Sequence, residues 1–138
     1  MSISNAICLF TAHTDGVEIP TTCGVYVKRF VIAGEECFYV GISKNLNERL
    51  TWHSQPRYSR SAILSGFVST LTITLAALHG IPYTEENLQG PINELATQCD
   101  TFFLALPCID DCDEMETSLL NEHVFTLNIA KNKHRYST

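Results

Sequence analysis

Two β-rich runs, Gly24 to Ile32 (GVYVKRFVI) and Cys37 to Ile42 (CFYVGI), stand either side of Ala33-Gly34-Glu35-Glu36. β-Branched and aromatic residues flanking a short Gly-containing loop predict an antiparallel hairpin. Successive strand side chains point to opposite faces, so Val25 and Val27 lie on one side and Tyr26 and Lys28 on the other. Phe38, Val40 and Ile42 are opposed in the same way to Tyr39 and Gly41. Two tyrosines can therefore share the open face of the hairpin, although the loop length leaves more than one pairing register available.

After the hairpin, Ser43 or Asn45 can cap a helix running to about Ser54, with Asn45 and Glu48 at capping-box spacing. Arg49 and His53 are i and i+4 on that helix and project from one face, beside the tyrosines. The segment Ser61 to Thr84 has no formally charged residue. Its Ser and Thr content argues against a membrane span, and apolar residues from Ile63 to Leu78 recur at helical spacing until Gly80 and Pro82. The run Thr70 to Leu75 also alternates like a strand. A short helix over Pro91 to Gln98, a strand over Thr101 to Leu106 and an acid-rich helix from Asp110 through Leu119, Leu120 and Val124 complete the order.

With 138 residues, 45% hydrophobic and 17% charged, the chain fits one domain with a substantial core. A net charge of −6 excludes attachment to nucleic acid by bulk charge, so any such site is a local patch. Residues 61–130 contain no Lys or Arg and 10 acidic residues. The basic groups Lys44, Arg49, Arg57 and Arg60 face only Glu48, with Trp52, His53 and Tyr58 interleaved. That strip is either a phosphate-facing surface or an ordinary solvated helix face. Six cysteines accompany an N-terminus without a secretory pattern, which leads to the expectation of a reduced, cytoplasmic or nucleoid-associated protein with free thiols. Cys108 and Cys112 lack the partners of a structural zinc site.

Gly24-Val25-Tyr26, then Tyr39-Val40-Gly41-Ile42-Ser43 with Asn45-Leu46, Arg49 and His53, resembles the signature of the GIY-YIG nucleases, written GVY and YVG here. Glu116 followed by Leu119 and Leu120, with Asn128 further on, is similar to the downstream half of that signature. The resemblance implies a small α/β (α+β) sandwich, a three-stranded antiparallel sheet flanked by helices. It makes residues 1–138 one nuclease domain, with a core over about 20–57 and 101–129, a helical insertion around 58–100 and a basic tail over 131–138. It further implies a divalent-metal-dependent endonuclease that hydrolyses phosphodiesters of nucleic acid, with DNA the expected substrate, in repair, restriction, recombination or mobile-element biology.

Under that resemblance, Tyr26 is the water-activating residue or its relay, and Tyr39 bonds nearby to the phosphate or the nucleophile. His53 is the candidate to take the Tyr26 proton or lower its pKa, Arg49 grips phosphate oxygens, Glu116 holds Mg²⁺ or Mn²⁺, and Asn128 organises the site. Lys44, Arg57, Tyr58, Arg60, Lys131, Lys133 and Arg135 are the candidate nucleic-acid contacts. The acidic balance leaves room for a homodimer or a protein partner that supplies further contacts; no membrane association is expected. Each residue also has a plain structural role open to it. The tyrosines can be cross-strand aromatics, and Asp113-x-x-Glu116 can be a helix capping box. The alternative function is a nucleic-acid-binding or protein-interaction module that keeps the fold without cleaving.

Overall fold

A two-residue turn, shorter than the sequence suggests, sets the register of the hairpin. In the computed structural model, which describes residues 8–32, 34–54, 89, 90, 94 and 98–123, strand β2 (Gly24–Ile32) pairs with β3 (Glu35–Ser43) from Ile32↔Glu35 to Gly24↔Ser43. Glu35 and Glu36, expected in the loop, are part of the second strand, and Gly34 takes φ +80°, a left-handed conformation that glycine adopts without strain. Strand β4 (Asp100–Ala105) lies antiparallel on the other side of β2, one residue earlier at each end than expected. A two-residue strand, β1 (Thr11–Ala12), extends the sheet beyond β4, giving the order β1-β4-β2-β3. The sheet therefore has four strands where three were expected.

Helix α1 (Leu46–Ser54) begins where the Asn45 cap predicts. The free donors of a helix's first turn need partners, and here each has one. The amide of Glu48 donates to Asn45 Oδ1 at 3.0 Å. Those of Leu46 and Asn47 donate to the carbonyls of Thr22 and Pro20, both at 3.0 Å. Ser43 joins in as well, accepting from the Asn45 amide at 3.1 Å and donating to the Asn45 carbonyl at 2.8 Å. The helix is thus pinned to the segment that leads into β2.

Helix α2 (Ile109–Glu122) starts from Cys108, which is extended and makes no side-chain cap. Its first-turn acids are Asp110 and Asp111, where the helix dipole favours negative charge. Asp113 and Glu116 lie inside the helix, so a capping box at these positions is ruled out. Val25, Val27, Phe38 and Val40 pack against Cys112, Leu119 and Leu120 of this helix, as the alternation predicts.

The opposite face is a second buried layer rather than the open one expected. Tyr26 and Tyr39 are only 2% and 8% exposed, and Phe30 and Phe103 are buried with them. α1 covers this side, since a Cβ at Gly24 would strike Leu46 Cδ1 and sit 2.6 Å from the Leu104 carbonyl. Lys28, on the same face, is 3% exposed and donates to Thr101 Oγ1 at 3.0 Å. Most of the insertion around 58–100, with its expected helix after 61 and most of the one at 91–98, lies outside the described residues, as does Val124.

Two outcomes follow from this packing. Gly24→Ala, pressed between Leu46 and a backbone carbonyl that has little room to move, lowers unfolding free energy by about 1–3 kcal/mol in urea titration. Lys28 is held down by burial to a pKa of about 8. The unfolded chain, with the ordinary lysine value, therefore binds the extra proton between that point and about 10.4. Wild-type stability accordingly gains with rising pH across this window relative to Lys28→Met. The variant is the more stable protein at pH 7, by about 1–3 kcal/mol, and loses that advantage above pH 10.

Candidate active site

The register sets Tyr26 directly opposite Gly41. The Tyr26 side chain lies across that glycine, where an added Cβ would fall on its hydroxyl and ring carbons. Tyr39 pairs with Lys28 two residues along and points to the same face, its ring centroid 6.4 Å from that of Tyr26 with the planes inclined at 32°. The hydrogen bond between the two side chains raises the pKa of Tyr26 and lowers that of Tyr39.

Two charges act on this pair. Burial is the main reason that the Tyr26 pKa stands well above the ordinary phenol value. The neighbouring Tyr39 and the Glu116 carboxylate raise it further, and Arg49 lowers it. Burial likewise pushes Tyr39 up to about 12, with Glu116 adding to the rise while Arg49 and the Tyr26 hydrogen bond oppose it. One residue from each of β2, β3, α1 and α2 thus converges on a single electrostatically linked cluster. Among the described neighbours Arg49 opposes the rise, while His53, expected to lower the Tyr26 pKa or take its proton, is not among the described side chains.

Arg49 is exposed on the first full turn of α1, and Glu116 is partly exposed on α2. Beside them a cleft of about 730 Å³ opens between the starts of the two helices, with Lys44, Glu48 and Arg49 as its charged groups and Ile42 and Ile109 as apolar walls. The first amides of α1 are already bonded to Pro20, Thr22 and Asn45. An anion in the cleft therefore meets the side chains of Lys44 and Arg49 rather than a free helix terminus.

The described residues thus bring together Tyr26, Tyr39, Arg49 and Glu116, with Lys44 at the edge. His53 belongs to α1, but its side chain is not among those described. Asn128, Arg57, Tyr58, Arg60, Lys131, Lys133 and Arg135 lie outside the described residues. Lys28 and Thr101 were missed as a buried polar pair on the tyrosine face. Strand parity placed Lys28 there, but its partner depended on a strand 73 residues away.

Among the described residues no three His, Cys, Asp or Glu side chains gather as a metal cluster. Glu116 by itself suits a hard divalent cation, which keeps several waters and takes phosphate oxygens as further ligands. It does not suit a metal held wholly by protein.

A small sheet flanked by helices, with tyrosines, an arginine and a carboxylate meeting at its β2–β3 hairpin, is the frame of a catalytic α+β domain. The GIY-YIG catalytic domain family matches residues 7–138, and the chain belongs to that family. Membership makes it a nuclease of the endonuclease kind, a hydrolase with nucleic acid as its substrate. No curated protein and no solved structure matches the chain. No helix among the described residues is long and apolar enough to cross a membrane.

Because Glu116 lies within α2 rather than at its N-terminal cap, Glu116→Ala leaves the unfolding free energy from urea titration within about 0.5 kcal/mol of wild type, as expected for a surface change in a helix. A larger loss would restore a structural role to this carboxylate.

Proposed function

We propose that this domain is a divalent-metal-dependent endonuclease that hydrolyses DNA phosphodiesters, acting in repair, restriction, recombination or mobile-element biology. The convergence of Tyr26, Tyr39, Arg49 and Glu116 from four separate elements carries the proposal. Hydrolysis of a phosphodiester needs a site that orients a water, takes its proton and offsets the charge that grows on phosphate. Glu116 is the residue to hold Mg²⁺ or Mn²⁺, which when bound supplies positive charge beside the phosphate and offsets the effect of this carboxylate on both phenols.

The remaining tasks fall to the chain itself. Tyr26, neutral at physiological pH, orients the water through its oxygen and relays a proton along its bond to Tyr39 towards a base, the role assigned to His53. Arg49 faces the phosphate from α1 with a fork of donors that matches two oxygens. Asn128 organises the site, and Lys44, Arg57, Tyr58, Arg60, Lys131, Lys133 and Arg135 carry the strand on either side of it. Residues 1–138 are taken as one nuclease domain of a cytoplasmic or nucleoid-associated protein, to which a second copy or a partner adds phosphate contacts.

The test is cleavage of supercoiled plasmid, branched and single-stranded DNA, and RNA, with Mg²⁺, with Mn²⁺ and with chelator. Metal-dependent products from DNA are expected, and their absence with Glu116→Ala. Tyr26→Phe lowers turnover by about 10²–10⁴-fold with DNA affinity nearly unchanged, the signature of a group used in the chemical step. Binding without cleavage at any metal concentration would favour the non-cleaving module, and cleavage of RNA alone would reassign the substrate.

A further inference from the structure

Outside the site, three cysteines meet where β2 begins and α2 begins. Cys23, immediately before Gly24, donates from its thiol to the Leu106 carbonyl at 3.2 Å and packs against the core cluster that contains Cys112. Cys112 is fully buried on the second turn of α2, in the cluster against which Cys23 packs, and the neighbouring Cys23 thiol adds to the rise in its pKa. Cys108, at the start of the helix, is exposed. Cys23 leads directly into the strand that carries Tyr26, and Cys112 lies one helical turn before Glu116. A bond between these two sulfurs would therefore act on the spacing of Tyr26 and Glu116 through two short, stiff connections.

We propose that Cys23 and Cys112 are a reversible redox site, closing to a disulfide when a small peroxide reaches Cys23 and thereby altering the spacing of Tyr26 and Glu116. The steps balance with hydrogen peroxide as the oxidant. The Cys23 sulfur, as thiolate, attacks one peroxide oxygen; the O–O bond breaks and hydroxide leaves, taking up the thiol proton as water. The Cys112 sulfur then attacks the resulting sulfenic sulfur, the S–O bond breaks, and the hydroxide released carries away the Cys112 proton as a second water. The two thiols lose two electrons and the peroxide gains them.

The order of events follows from position. Cys23 is partly exposed, whereas Cys112 has no exposed surface and burial pushes its thiol up to about 11. Cys112 is therefore a poor first target but is well placed to resolve its neighbour. A transient bond that thiol reductants reopen is the usual form of a disulfide in a reducing compartment.

The effect on cleavage rests on the nuclease function proposed above, whereas the bond itself does not. The experiment exposes the whole protein to hydrogen peroxide and follows it by intact mass and non-reducing peptide mapping, beside cleavage assays. The expected result is a loss of about 2 Da, a peptide linking Cys23 to Cys112, a fall in cleavage of about tenfold or more as the site is displaced, and recovery with dithiothreitol. Cys23→Ala and Cys112→Ala should each cleave like the reduced protein and ignore peroxide. Because Cys112 is a core residue, Cys23→Ala decides the matter if the other variant does not fold. A link through Cys108 instead, no link at all, or a Cys23–Cys112 link with unchanged cleavage would each overturn the proposal. If the reduced protein does not cleave, the nuclease function fails on its own account, and mapping alone decides the redox pair.

Discussion

A phenol laid across bare backbone is the contact on which the site depends. Tyr26 rests on Gly41, and any side chain at that position would displace its hydroxyl. The contact exists only in the register that pairs these two residues, and a shift of one step would turn every side chain of β3 to the other face. The register in turn rests on a two-residue turn with Gly34 in a left-handed conformation. From Gly41 the chain needs only Ser43 and Asn45, each bonded locally, to start α1. The same turn therefore governs where Tyr26, Tyr39 and Arg49 stand relative to one another.

Burial gives these groups their chemical character. Two phenols and a lysine lie on one sheet face with almost no access to water, and each is biased towards its neutral form. Arg49 and Glu116 then act on the tyrosines with opposite signs from opposite helices. The balance of those charges, rather than any single one, modulates how far burial lifts the two phenols. A cation at Glu116 would tip it towards release.

Most of this was legible wherever a short-range rule applies. Alternation sorted Val25, Val27, Phe38 and Val40 from Tyr26 and Tyr39, and cap spacing set the start of α1. The ordered spacing of Tyr26, Tyr39, Arg49 and Glu116 marked the family. What escaped depends on distant partners. Nothing in Thr11-Ala12 marks a strand, because two residues pair there only through β4. The tyrosine face reads as open in the sequence because its cover comes from α1, whose Leu46 meets Gly24 only in the folded chain. Asp113 and Glu116 have the spacing of a cap, yet the helix starts earlier, at Ile109, without a side-chain cap. The Cys23–Cys112 contact likewise has no local signature.

The way the strands are joined has a consequence for the order in which the site is assembled. Tyr26, Tyr39 and Arg49 sit on a continuous stretch closed by a tight turn. Glu116 arrives only after β4 pairs with β2, a closure typified by Lys28 and Thr101, 73 residues apart. Long closures of this kind are the slow events in folding. A growing chain thus carries Arg49 beside its hairpin well before Glu116 joins it, and the charge balance on the two phenols is completed only by the long closure.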